Sequence, residues 1–338
     1  MEPTVRRKKR VASAQPKLTL VIPSFNEVTR IESGLIRLRT AAAMGAVDLD
    51  ETEVLWVDDG STDGTAAAAE VAAASLPNGS VLRLKENRGK GGAVRAGVER
   101  AKGKLIIFCD ADFSIDAKHI ADLVAALETS DVAIGSRAVS GSVEYGHGLR
   151  TLGGRAFNRL VNTITHLDLR DTQCGMKGFR ADVARLLFAT TSIDRFAFDV
   201  ELLTRCRQFG FTVKEVPVAW DEIEGSSIRP FADPMSMLLD LTKSQFGGRI
   251  RPVAGYLVRT PTTSSQLAAR IENVTATPRP IVVEGKGQLL VLFPFARGAE
   301  LSSLNAHVRA ALSPLELKTD AFTVTNLSDL APLHLSQE

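Results

Sequence analysis

Between Leu18 and Ile134 apolar β-rich runs alternate with helical patterns, and this alternation confines the chain to a narrow set of folds. Leu18–Ile22, Val54–Val57, Val81–Leu84, Leu105–Cys109 and Val132–Ile134 read as strands. Glu27–Ala43, Thr65–Ala74, Gly92–Ala101 and Lys118–Leu127 read as the helices between or after them. Leu105–Cys109 is continuously apolar, the signature of a strand buried on both faces. Strands that alternate with helices in this way build an α/β fold, a mostly parallel sheet with helices on both faces. Such a sheet gathers the carboxyl ends of its strands at one edge, where ligands bind.

Each of the first four strands runs into a polar cluster. The first ends in Pro23-Ser24-Phe25-Asn26-Glu27 and the second in Asp58-Asp59-Gly60-Ser61-Thr62-Asp63-Gly64-Thr65. The third leads to Asn87-Arg88-Gly89-Lys90-Gly91-Gly92, and the fourth stops at Asp110-Ala111-Asp112. An acid at a strand end, Asp58 or Asp59, can accept a hydrogen bond from a base N–H. Two cations among glycines before a helix start suit a diphosphate, because the helix N-terminus favours negative charge. Two carboxylates one residue apart repel each other, and a divalent cation shared with a phosphate ligand relieves this. Turns and helix caps would use the same residue types. The convergence of four clusters at one edge favours a nucleotide-diphosphate site with a metal at Asp110 and Asp112.

The 338 residues have 44% apolar and 24% charged content, as expected of a globular protein with a sizeable core. The net charge of +2 points to no nucleic-acid partner. Cys109, Cys174 and Cys206 form no C-x-x-C pair, which argues for a reduced cytoplasmic setting and against a disulfide framework. No run approaches the ~20 apolar residues that cross a bilayer, and no apolar stretch follows the basic cluster Arg6–Arg10, so neither a transmembrane segment nor a signal peptide is expected. Residues 1–16 are expected to be a basic disordered tail, 17–250 the main domain, 251–270 a linker, and 271–338 a small α+β module of unreadable role. Within the main domain, Arg150–His166, Ala181–Phe188, Phe198–Phe209 and Asp233–Phe246 are expected helices, Val213–Val218 a strand, and Asp168–Lys177 a loop. In the module, Ile281–Val283, Gln288–Phe293 and Phe322–Val324 are strand candidates and Ala299–Leu312 a helix candidate.

The clusters V-I-P-S-F-N-E, V-D-D-G-S-T-D-G-T, N-R-G-K-G-G-A-V and D-A-D, in this order, resemble glycosyltransferase family 2. Gly135-Ser136-Arg137, D-T-Q-C-G-M-K-G-F at Asp171–Phe179 and F-D-V-E-L at Phe198–Leu202 narrow the resemblance to dolichyl-phosphate β-glucosyltransferases and bacterial polyprenyl-phosphate relatives. It covers about Leu18–Phe246 and implies a GT-A fold and inverting transfer. It also implies that Pro23, Glu27, Asp58, Asp59, Arg88, Lys90, Asp110 and Ala111 bind the nucleotide-sugar. Asp110 and Asp112 would hold Mg²⁺ or Mn²⁺, and Arg137 would serve the donor–acceptor junction. Arg155, Arg159, Gln173 and Lys177 would lie on the acceptor side.

A hydroxyl acceptor needs a general base, for which Asp199 is the candidate. A phosphate monoester is already ionised near neutral pH and needs positioning cations instead. The leading expectation is glucose transfer from UDP-glucose to a polyprenyl phosphate at the inner face of the cell membrane. A GDP-mannose donor, a soluble hydroxyl acceptor and a non-catalytic nucleotide-sugar binding module remain open. Cys174 is expected to be an inert buried thiol. Helix Asp233–Phe246 is read as packing against the sheet, with membrane contact left open. Oligomeric state is unreadable.

Overall fold

The computed structural model describes residues 15–145, 159, 161–163, 165, 167–221, 249–259, 281–285, 288–294 and 318–326. Strand β1 (Leu18–Ser24), helix α1 (Val28–Ala43), β2 (Thr52–Asp58), α2 (Thr65–Ala74), β3 (Gly79–Arg83), α3 (Lys90–Arg100), β4 (Leu105–Phe108), α4 (His119–Ala126) and β5 (Val132–Ser136) follow the expected alternation. Next come β6 (Val143–Tyr145), β7 (Lys177–Arg180), α5 (Ala181–Thr190), α6 (Phe198–Phe209), β8 (Val213–Pro217) and β9 (Ala219–Asp221).

Seven strands form the main sheet in the order β3-β2-β1-β4-β7-β5-β8. β1, β2, β3 and β4 pair in parallel, as do β5 and β8. β7 is antiparallel to both of its neighbours, β4 and β5. The strands are rich in apolar residues because they feed two cores. Val21, Ile106 and Phe108 face one layer with α3, α5 and α6, whereas Leu20, Ile22 and Ile107 face the other with α1, α2 and α4. Phe108, Phe179, Phe188 and Phe198 stack together with centroids 5.7 to 6.5 Å apart, so the aromatic core lies directly beneath the edge where β4 ends. Fully burying side chains of this size stabilises a fold by about 1.5–3 kcal/mol each.

The sequence reading placed no strand at β7. Lys177 was expected to close a loop, and instead it opens a strand in the middle of the sheet, paired across to Phe108 and Ile134. A four-residue K-G-F-R segment with charged ends and a glycine carries no apolar run to detect. Strands β10 (Arg249–Arg259), β11 (Ile281–Gly285), β12 (Gln288–Pro294) and β13 (Lys318–Asn326) form a second, antiparallel sheet in the order β11-β12-β10-β13. β10 thus occupies residues 251–259 of the expected linker. Residues 1–14 of the basic tail, most of the helix expected at Arg150–His166 with its Arg155, the helix expected at Asp233–Phe246 and the helix candidate Ala299–Leu312 lie outside the described residues. Among the described residues no helix is long and apolar enough to cross a membrane.

Candidate active site at the carboxyl edge of the sheet

The strand-end clusters are stitched together by hydrogen bonds. The Asp59 amide donates to the Ser24 carbonyl (2.9 Å), and the Asn26 amide to Ser61 Oγ (3.0 Å). The Thr62 amide returns a bond to Asn26 Oδ1 (3.0 Å), and the Glu27 amide donates to Thr65 Oγ1 (2.8 Å). Pro23 and Ser24 pair in register with Val57 and Asp58, which fixes the β1 and β2 clusters side by side.

Asp58 and Asp59 are both buried but do different work. Asp59 accepts the amides of Arg88 and Gly89, each at 2.8 Å, and so holds the glycine-rich loop in place. Burial pushes its carboxyl above the ordinary range, against the pull of those two amides. Asp58 Oδ1 accepts the Ser61 amide (3.3 Å), while its buried Oδ2 has no hydrogen-bond partner among the described residues. The nearest cation to Oδ2 is Arg83 Nε at 3.8 Å. Of the two acids, Asp58 is therefore the one with an acceptor left for a base.

The glycine-rich loop is clamped from its other side. Gly89 adopts φ +86°, and a Cβ there would sit 2.6 Å from the Asp194 carbonyl. The Gly92 amide donates to that same carbonyl at 3.1 Å. Buried Arg95 secures residues 188–194 by donating to the carbonyls of Phe188 (3.1 Å) and Ile193 (3.2 Å) and pairing with Asp194. Arg88 itself is exposed.

At the end of β4 the D-A-D segment turns sharply. The Phe113 amide donates to the Asp110 carbonyl (3.0 Å), and the Ser114 amide to Asp112 Oδ1 (2.9 Å). Ala111 is buried against Gly34 of α1, where any Cβ would meet the Ala111 carbonyl at 2.0 Å. Neither acid caps a helix, since α4 begins only at His119. Asp110 Oδ1 meets Lys90 Nζ at 2.5 Å, and Asp112 Oδ2 lies 3.6 Å from Arg30 Nη1, which also bonds Glu27 at 2.9 Å. Burial, and the charges of Asp110 and Asp112, push Glu27 above its ordinary value despite Arg30. Burial alone would lower Lys90, but Asp110 and Asp199 more than offset it and hold it charged. Arg30 was not anticipated, although its i,i+3 spacing from Glu27 on a helix start was a readable signal.

Among the described residues no three His, Cys, Asp or Glu side chains are placed to hold a metal. The donor chemistry nevertheless fits a hard divalent ion bound jointly with a ligand. Asp110 and Asp112 supply two carboxylates, and Mg²⁺ commonly takes one or two of these plus substrate phosphates. Gly175 leaves the Asp110 carboxylate room that a Cβ, 2.1 Å from Oδ2, would fill.

Beyond β4 the picture departs from expectation at two residues. Arg137 forms a two-pronged pair with Asp171, Nε–Oδ2 2.7 Å and Nη2–Oδ1 3.0 Å, and its guanidinium lies 5.5 Å from the centre of the Trp220 ring. Burial works against its charge, but Asp171 more than offsets this and raises its pKa, with Asp110 close enough to contribute. Gln173 is half-buried, and its Nε2 has no hydrogen-bond partner among the described residues. Arg159 is exposed on a helical turn. Lys177, expected as an acceptor-side cation, is instead fully buried, with Nζ 2.6 Å from Asp199 Oδ1 and 2.7 Å from the Cys174 carbonyl. Asp199, expected as a base, is its counter-ion and is itself buried. The cause is β7, whose insertion carries Lys177 into the sheet. Burial pushes the Cys174 thiol up to about 12, so it is inert at neutral pH.

The family model for glycosyl transferase family 2 matches residues 19–188. A dolichyl-phosphate β-glucosyltransferase of Dictyostelium discoideum is 34% identical over 241 residues, 68% of this chain and 74% of that protein. The human protein of the same name is 33% identical over 247 residues, 68% of this chain and 75% of its own length. Among solved structures, glucosyl-3-phosphoglycerate synthase from Mycobacterium tuberculosis, in complex with Mn²⁺, UDP and glucosyl-3-phosphoglycerate, superposes with a TM-score of 0.52 at 17% identity. That likeness covers 69% of this chain and 79% of the synthase and bears on the fold, which is GT-A.

Proposed function

The chain belongs to glycosyltransferase family 2, and we propose that it transfers glucose from UDP-glucose to a polyprenyl phosphate of the dolichyl type, with inversion at the sugar and with Mg²⁺ or Mn²⁺. Likeness to dolichyl-phosphate β-glucosyltransferases across two thirds of the chain supports the sugar and the acceptor. The observation that carries the site is the meeting of four strand-end clusters, joined by hydrogen bonds and ion pairs, around Asp110 and Asp112.

In this reading Asp58 Oδ2 accepts a base N–H, Pro23 and Glu27 wall the nucleotide pocket, and Ala111 lines it. Lys90, at the first turn of α3, and exposed Arg88 sit beside the diphosphate. A cation at about 4 Å in an effective dielectric near 20 is worth about 4 kcal/mol of attraction before desolvation. Each 1.36 kcal/mol of it that is specific to the transition state speeds transfer about tenfold. Asp110 and Asp112 would hold the metal, which supplies Lewis-acid stabilisation of the departing diphosphate. Arg137, fixed by Asp171 and Trp220, and Gln173, whose Nε2 has no hydrogen-bond partner among the described residues, face the acceptor phosphate. That phosphate attacks the anomeric carbon from the side opposite the leaving group, which inverts it.

The test offers the purified chain UDP-glucose, GDP-mannose and UDP-N-acetylglucosamine with Mg²⁺ or Mn²⁺, each with a short polyprenyl phosphate or a soluble alcohol. Glucosyl transfer from UDP-glucose to the lipid phosphate is expected. Transfer only to the alcohol would remove the acceptor assignment, and exclusive use of GDP-mannose the donor assignment.

A further inference from the structure

Lys177 is the most anomalous charge in the described residues. It lies in a central strand, has no exposure, and sits 5.7 Å from the centre of the Phe108 ring. A buried ammonium is tolerated only with a partner, and an ion pair so placed seldom repays its desolvation. Its contacts indicate what it does instead. Nζ holds the Cys174 carbonyl at 2.7 Å. The following residue, Gly175, stands so close to Asp110 Oδ2 that a Cβ would lie 2.1 Å from it. The counter-ion Asp199 opens α6 beside Phe198, and Phe198 packs on Gly91, where a Cβ would meet its Cβ at 2.7 Å. Gly91 follows Lys90, whose Nζ holds Asp110 Oδ1. The Lys177–Asp199 pair therefore ties together two walls, the 174–175 peptide and the start of α3, and these grip the two oxygens of one carboxylate.

We propose that Lys177 and Asp199 form a positioning pair that sets the Asp110 carboxylate, and that Asp199, spent as the counter-ion, takes no proton from the acceptor. This rests on reading Asp110 as the donor-side acid. Its consequence is a substrate class: the site serves acceptors that arrive ionised, such as phosphate monoesters. Burial holds the Asp199 carboxyl above its ordinary range even though Lys177 and Lys90 pull it down, so it is the 2.6 Å contact with Lys177 Nζ that marks it as a counter-ion.

The test is a double-mutant cycle in the full chain with UDP-glucose, Mn²⁺ and a short polyprenyl phosphate. It uses Asp199→Asn, Lys177→Met and the two combined, with rates followed from pH 6 to 9. Each single variant strands a buried charge or dipole and is expected to lose stability and to need more Mn²⁺ for half-maximal rate. The combined variant buries no charge, so its activity decides even where the singles fail to fold. A positioning pair predicts turnover within about tenfold of wild type, a raised Mn²⁺ requirement and an unchanged pH profile. A general base at Asp199 predicts a loss of about 10²–10⁴-fold, with the residual rate climbing as hydroxide rises; that result overturns the proposal. Should the wild-type chain accept only alcohols, the acceptor assignment and the ionised-acceptor consequence both fail, while the positioning role of the pair is still judged by the same cycle read with the alcohol.

Discussion

Replacing Gly175 with alanine adds one methyl group to the protein, and the geometry specifies where it goes. The new Cβ would stand 2.1 Å from Asp110 Oδ2, 3.0 Å from its Cγ and 3.5 Å from Oδ1. Ordinary contact begins near 3.4 Å, so the carboxylate must retreat by about 1 Å or more. It can do so cheaply, because the obstacle is the end of a side chain that is 36% exposed. Gly175 also lies outside the positive-φ glycines, so alanine meets no backbone strain there. The fold should therefore survive while the acid moves. A misplacement of about 1 Å at a reacting site costs about 10²-fold in rate, or about 2.7 kcal/mol of barrier at 1.36 kcal/mol per decade. The assay is initial-rate glucosyl transfer at saturating UDP-glucose across a Mn²⁺ titration, beside a thermal melt. Gly175→Ala should melt within a few degrees of wild type, turn over about 100-fold more slowly, and need more Mn²⁺. Wild-type turnover would mean that the position of Asp110 is irrelevant. Collapse of the melt would mean that Gly175 serves the fold rather than the acid.

Other expectations follow from the same contacts. Asp59→Ala removes the acceptor of two loop amides, a loss of about 2 kcal/mol after water partly replaces it; a rise of roughly tenfold or more in donor KM, with kcat less affected, should report it. Asp58→Asn should weaken UDP binding in calorimetry and narrow any preference for UDP over GDP, whereas unchanged selectivity would remove Asp58 from base reading. Burial pushes Asp171 up, but Arg137 more than offsets it, so the carboxyl titrates below its ordinary value. Its contribution to stability is therefore complete above the usual Asp range, near pH 4, and is lost as pH falls through the depressed value. Thermal melts of Asp171→Asn should show a shallower loss between pH 5 and 3 than wild type.

Much of the sheet was readable because β1, β2, β4 and β5 are each buried on both faces and carry apolar runs, broken only by Thr19 in β1. The site was readable for the same reason, since a polar cluster directly after such a run must emerge at the sheet edge. What stayed hidden depends on neighbours far along the chain. β7 is too short and too charged to carry a period, so Lys177 passed for a surface cation and Asp199 for an available base. Asp58 and Asp59 are adjacent and chemically identical. Only the arrival of the Arg88 and Gly89 amides, 30 residues on, separates the loop anchor from the acid with an oxygen to spare. β10 fell in a stretch read as linker because its partners β12 and β13 lie more than 25 residues away in sequence.

The central claim is that Asp110 and Asp112 share a divalent ion with the diphosphate of a donor. Anomalous diffraction from crystals of the chain grown with Mn²⁺ and UDP tests it most directly. The account predicts one strong manganese peak within coordination distance of both carboxylates and of UDP oxygens, with Lys90 moved off Asp110 Oδ1 toward the phosphates. UDP bound elsewhere, or bound there with Lys90 and Arg30 still seated on the two acids and no manganese between them, would contradict it.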